Sequence, residues 1–186
     1  MRFLSKRMAP EDIIKRYYEE GSKLYRLLLA HSVSVAEKSI EIVRLHPEWK
    51  LDEIFIRDAA LLHDIGIYWT YAPEIHCFGN YPYICHGYLG ADLLRNEGLE
   101  RHARICERHT GSGLSRESIL HNRLPVPTRN MLPETLEEKL ICFADKFYSK
   151  SHPDKERTIT QIRKSLAHYG KSSLARWDEM HRLFYE

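Results

Sequence analysis

The chain has 186 residues, with 28 lysines and arginines against 26 aspartates and glutamates, a formal net charge of +2 with histidines neutral. That length suits one domain with a sizeable core. The near balance of charge supplies no electrostatic drive toward nucleic acid or an anionic membrane, so neither is an expected partner.

Eleven histidines are the one odd feature of the composition. The four cysteines, Cys77, Cys85, Cys106 and Cys142, form no C-x-x-C pair, which argues against a zinc ribbon or a thioredoxin-type redox site. Residues 1–7 run into charged sequence without an apolar segment, unlike a secretory leader. No stretch approaches the roughly 20 apolar residues that span a bilayer. The expectation is a cytoplasmic protein with free thiols.

Residues 10–20 read as a short charged helix, with Pro10 suited to its first turn and Gly21 interrupting it. A longer helix is predicted over 22–46. Its apolar face runs through Leu24, Leu27, Leu28, Val35 and Ile42, and His31 falls on that face. Pro47 ends it. Asp52 is the predicted N-cap of a helix over 53–64, and Gly66 suits a left-handed cap beyond it. Residues 67–83, rich in Tyr, Pro, Gly and Asn, read as a loop whose Trp69 and Phe78 could cover a pocket. Helix resumes over 84–96 and 99–109, stopped by Gly98 and then by Thr110-Gly111-Ser112-Gly113. Residues 114–132 read as irregular. A helix from Pro133 to about Lys150 carries Leu136, Leu140, Ile141 and Ala144 inward, and two amphipathic helices, 155–169 and 173–184, close the chain. No strand pattern stands out, so the predicted fold is an all-α helical bundle, one domain over 1–186.

The chemistry centres on Leu61-Leu62-His63-Asp64-Ile65-Gly66. Adjacent residues do not share a helix face, so one packed surface rarely calls for both His63 and Asp64, whereas a metal at a helix end can use both. His31 lies on an apolar face, and His86 opens a run with Gly87, Leu89 and Gly90 at packing distances. His109 precedes a Gly-rich break, and Asp145 sits in an otherwise apolar turn, where a lone carboxylate is expensive unless paired or metal-bound. Each stands on a separate predicted helix or helix end. Six nitrogen and oxygen ligands without sulfur suit one or two ions of iron, manganese, nickel, cobalt or zinc.

The series His31, His63-Asp64, His86, His109, Asp145, centred on His63-Asp64-Ile65-Gly66, resembles the HD superfamily of metal-dependent phosphohydrolases in its HDIG branch. The strings around His31, Cys85-His86-Gly87-Tyr88-Leu89-Gly90-Ala91, Arg108-His109-Thr110-Gly111 and Cys142-Phe143-Ala144-Asp145-Lys146 carry the likeness. It covers about residues 25–150, leaving 155–186 as an extension. The nearest characterised relatives in this resemblance are small di-iron hydrolases of symmetrical diadenosine tetraphosphate. The resemblance implies that His31, His63, Asp64 and Asp145 bind one metal, and that Asp64 bridges to a second completed by His86 and His109. Ile67 stands where the cyclic-di-GMP phosphodiesterase branch usually has lysine, which argues against that substrate.

The implied activity is hydrolysis of a phosphate ester or anhydride of a nucleotide or other small phosphorylated metabolite by a metal-activated hydroxide, with Asp64 and Lys146 as catalytic candidates. Arg108, Thr110, Ser112 and Arg116 are the expected substrate contacts, with Arg123 and Arg129 on the same segment. His76 is the alternative to His86. His46, His102, His121, His152, His168 and His181 are assigned nothing. A di-iron oxygenase of the same ligand series and a non-catalytic nucleotide-sensing module are the competing readings, and homodimerisation is left open.

Overall fold

The computed structural model describes residues 9–186, so the expectation for residues 1–7 lies outside it. Its helices begin where the sequence offers caps. α1 (Pro10–Tyr17) has proline in its first turn. α2 (Lys23–Leu45) starts at Ser22, whose hydroxyl accepts from the Tyr25 amide, and α3 (Glu53–Leu62) starts at Asp52, which accepts from Ile54 and Phe55. α4 (His86–Asn96), α5 (Glu100–Arg108) and α6 (Arg116–His121) follow. α7 (Leu136–Asp145) and α8 (Ile159–Ala167) each carry a capping box, Thr135 with Glu138 and Thr158 with Gln161, and α9 (Lys171–Tyr185) ends the chain.

The all-α expectation holds for the framework, with three local corrections. The aromatic segment after α3 is not simply a loop. It contains 3-10 turns and a small sheet in which β1 (Thr70–Ala72) pairs antiparallel with β2 (Cys77–Phe78) and parallel with β3 (Tyr81–Pro82). Strands of two or three residues are too short to show a period-two pattern. The segment read as irregular contains α6, and a bridge between Leu114 and Met131 closes it. α7 starts at the Thr135 cap rather than at Pro133, and it ends at Asp145, so Lys150 lies beyond the helix.

The helices enclose two adjoining apolar cores. One joins the C-terminal half of α2 to α3, α7, α8 and α9. Its centre is aromatic: Phe143 lies 5.1 Å from Trp177 and 5.2 Å from Phe184, ring centre to ring centre. The last two helices therefore share a core with α7. The other core joins α1, the N-terminal half of α2, the sheet segment, α4 and α5. Gly66 lets the turn after α3 lie directly on α4: a Cβ there would stand 2.1 Å from the His86 carbonyl oxygen and 2.5 Å from the Gly90 nitrogen. Gly66 is thus required for close approach. It is not the left-handed cap expected from the sequence, since it is absent from the positive-φ glycines. No helix among the described residues is long and apolar enough to cross a membrane.

Candidate metal centre

Five helices bring the predicted residues to one place. His31 comes from the middle of α2. His63 caps α3 and Asp64 follows it; His86 opens α4; His109 caps α5; Asp145 ends α7. Three helix C-termini, those of α3, α5 and α7, deliver ligands, and their negative dipole ends favour cations. All six residues are buried, His63 and Asp64 completely.

The donor atoms fall into two groups. His31, His63, Asp64 and Asp145 each offer a ligand atom within 4.8 Å of the others, and so do Asp64, His86 and His109. Asp64 belongs to both. Its Oδ2 lies 3.1 Å from His31 Nε2 and 3.2 Å from His63 Nε2, while its Oδ1 lies 3.4 Å from His86 Nε2 and 3.3 Å from His109 Nε2. Asp145 Oδ1 reaches His31 Nε2 at 3.0 Å.

The ring tautomers fit a metal. His63 Nδ1 donates to the Ala60 carbonyl at 2.6 Å, His86 Nδ1 to Tyr83 at 2.6 Å, and His109 Nδ1 to Cys106 at 2.7 Å, each three residues back along the chain. A carbonyl can only accept, so each Nδ1 carries a proton and the neutral ring keeps its lone pair on Nε2. His86 and His109 then point two Nε2 atoms at each other across 3.0 Å. Asp64 Oδ1 and His63 Nε2 are buried without a hydrogen bond, and Asp64 Oδ2 is met by the Lys150 ammonium at 2.5 Å. Such atoms are costly unless something compensates them, and a divalent cation matches this donor set. Backbone anchoring of Nδ1 is also how ligating imidazoles are oriented.

Charge separates the two groups. Burial would lower the His63 pKa, but Asp64 and Asp145 override it and raise it to about 9. Burial, aided by His109 and Lys150, pushes His86 down to about 3, and burial also lowers His109. Burial would raise both carboxyls. Lys150 and His63 instead hold Asp64 well below its usual range, and Lys146 with His31 does the same for Asp145.

Lys150 is the residue that sequence reasoning passed over. Its Nζ stands 2.5 Å from Asp64 Oδ2 and 5.7 Å from the centre of the Tyr83 ring, and Tyr83 stacks on His86. No sequence signal could have flagged it, since it lies past the end of α7 and belongs to no motif.

The remaining sequence candidates fare differently. Lys146 pairs with Asp145 and donates to the His109 carbonyl at 3.2 Å, so it borders the first group. Thr110 is buried against Gly87 of α4. Ser112 is a correction: it is fully buried and donates to the Ser173 carbonyl at 2.8 Å, tying the turn after α5 to α9 rather than facing a substrate. Arg108 is another. It pairs with Glu134 at 2.7 Å and Glu138 at 3.2 Å, holding the start of α7. Arg116 is exposed at the start of α6, Arg123 is exposed, and Arg129 pairs with Glu107. His76 is exposed and outside both groups, so it does not replace His86. Among the unassigned histidines, His46 stacks on Trp49 and His102 packs edge-on against Phe55.

A family model described as HD domain matches residues 28–149. The chain belongs to the HD domain family. The matched span contains every one of the six clustered residues, and α8 and α9 lie beyond it. An uncharacterised protein of Methanocaldococcus jannaschii is 33% identical to this HD protein over 141 residues, 75% of this chain and 68% of the relative. Two tRNA (cytidine(56)-2'-O)-methyltransferases, from Thermoplasma volcanium and Picrophilus torridus, are each 32% identical, covering 78% and 66% of this chain. The chain spans only about a third of their length, 37% and 32%. No solved structure gives a match.

Proposed function

We propose that this HD protein is a metal-dependent phosphohydrolase with a two-metal centre, acting on a phosphate ester or anhydride of a nucleotide or small phosphorylated metabolite. The observation that carries the reading is the sharing of Asp64 between two buried ligand groups. His31, His63 and Asp145 would hold one ion, His86 and His109 the other, and Asp64 would offer one oxygen to each. Bound divalent ions supply Lewis-acid neutralisation of phosphoryl oxygens and a water acidic enough to ionise near neutral pH. The chain supplies the rest. The backbone carbonyls of Ala60, Tyr83 and Cys106 fix the imidazole orientations. Burial strengthens each electrostatic contact, and Lys146 holds Asp145 against the end of α5.

Similarity to the two tRNA methyltransferases does not bring methyl transfer to this chain, which spans only about a third of each relative. Protein loaded with manganese or iron should, without oxygen, either release inorganic phosphate from at least one of a panel of 2'-, 3'- and 5'-nucleotides or split a dinucleoside polyphosphate into two nucleotides, read by chromatography. Loaded protein that does neither but consumes oxygen with a substrate would replace this reading with the oxygenase.

A further inference from the structure

Lys150 has no assigned part in what precedes, and its position is unusual. Its side chain is only 12% exposed, and its ammonium is paired with one oxygen of the carboxylate common to both ligand groups. That same oxygen faces His31 and His63. A lysine that merely stabilised the fold would be expected to pair with a carboxylate that has no other claim on it. Here a divalent ion held by Asp64, His31 and His63 would compete with the ammonium for Asp64 Oδ2, and two cations cannot share one carboxylate oxygen without strong repulsion.

Lys146 offers the contrast. It has a second acceptor that no metal would take, the His109 carbonyl at 3.2 Å, so it keeps a partner when Asp145 turns to a metal. Lys150 has the Tyr83 side chain beside it and the Asp145 charge nearby, but among the described residues it has no such carbonyl bond. A buried ammonium deprived of its carboxylate needs another anion. Its long stem lets the charge swing while the backbone stays in place. We propose that Lys150 is a phosphate anchor: it holds Asp64 until metal binds, then turns its ammonium to a phosphoryl oxygen of the substrate, against the wall formed by Tyr83 and His86. This rests on the phosphohydrolase reading and adds the residue that grips the substrate's anionic group.

The test uses the manganese-loaded protein, with inorganic phosphate as the probe, in wild type, Lys150→Met and Lys150→Arg. Metal content and phosphate affinity are measured separately, by emission spectrometry and by titration calorimetry. The expected result is unchanged metal content in all three, phosphate affinity weakened about tenfold or more in Lys150→Met, and affinity within about threefold of wild type in Lys150→Arg. Unchanged metal and unchanged phosphate affinity in Lys150→Met would overturn the anchor and leave the phosphohydrolase reading standing. Wild-type protein that holds metal but binds no phosphate would overturn both. Should Lys150→Met fail to fold, nitrogen-15 spectra of the lysine ammonium groups in wild-type zinc-loaded protein decide the question. The resonance missing from Lys150→Arg should move when phosphate is added; a resonance that stays put would contradict the anchor.

Discussion

The two ligand groups share Asp64 but are built on different principles. The first, His31 with His63 and Asp145, draws on three distant parts of the chain and owns a second carboxylate. Its two carboxylates raise His63 to about 9, so the protein itself stores positive charge there. The second, His86 with His109, has no carboxylate of its own, and burial keeps His86 neutral down to about 3. It also depends on the close seat of the turn after α3 upon α4. The contrast teaches that the first group is anionic and must give up a proton to a metal. The second is nearly neutral, takes a metal without that cost, and should hold it more weakly because fewer charges oppose it.

Breaking the shared residue should have the largest effect. Asp64→Asn should lose both ions and all measurable hydrolysis, more than the roughly 10–100-fold in metal affinity that losing a partner beyond the ligands themselves typically costs. Metal analysis beside phosphate release checks this; retention of two ions would dissolve the link between the groups.

Gly66→Ala should separate the groups by packing alone. The added methyl meets backbone atoms of His86 and Gly90, which cannot rotate away. The expected cost is about 2–3 kcal/mol by chemical denaturation, with the ion on the His86 side lost first. Loss of the first-group ion instead would mean that the seat on α4 does not serve the second group.

Proton accounting sharpens the contrast further. At pH 7 the first metal equivalent should release about one proton, from His63, and the second essentially none, since His86 is already neutral. Affinity for the first ion should therefore rise with pH up to about 9. The same group has a sign for stability in chelator-treated protein. Its folded-state value lies above its ordinary 6.5, so its contribution is complete below 6.5 and is lost as pH rises through about 9. Calorimetry in buffers of different ionisation heat counts the protons; equal release for both ions would erase the distinction.

The smallest effect belongs to a residue outside both groups. Ser112→Ala should cost about 1 kcal/mol of stability and leave metal content and phosphate affinity unchanged, because its hydroxyl serves Ser173. A marked fall in phosphate affinity would restore it to the substrate site.

Four of the six clustered residues were legible because they broke a local rule: His31 on an apolar face, the adjacent His63-Asp64 pair, and Asp145 among core residues; His86 and His109 stood out only as members of the series. Their order and spacing did the rest. The helical framework was legible from periodicity and caps, as at Ser22 and Asp52. Residues expected at the substrate because they neighbour His109 were the least legible. Successive side chains near a helix end point to different sides, so Arg108 turns to the start of α7 and Ser112 to α9. Lys150 escaped for the converse reason, since a lone lysine past a helix end carries no pattern and its meaning lies wholly in its contact with Asp64. Gly66 was singled out for its φ when its value is the absence of a side chain.

The most direct test of two ions on a shared Asp64 is metal content per chain, in protein purified without a metal-affinity tag, for wild type and His86→Ala. The account predicts about two ions in wild type and about one in His86→Ala, retained by His31, His63, Asp64 and Asp145. One ion in both proteins would contradict it and reduce the centre to the first group alone.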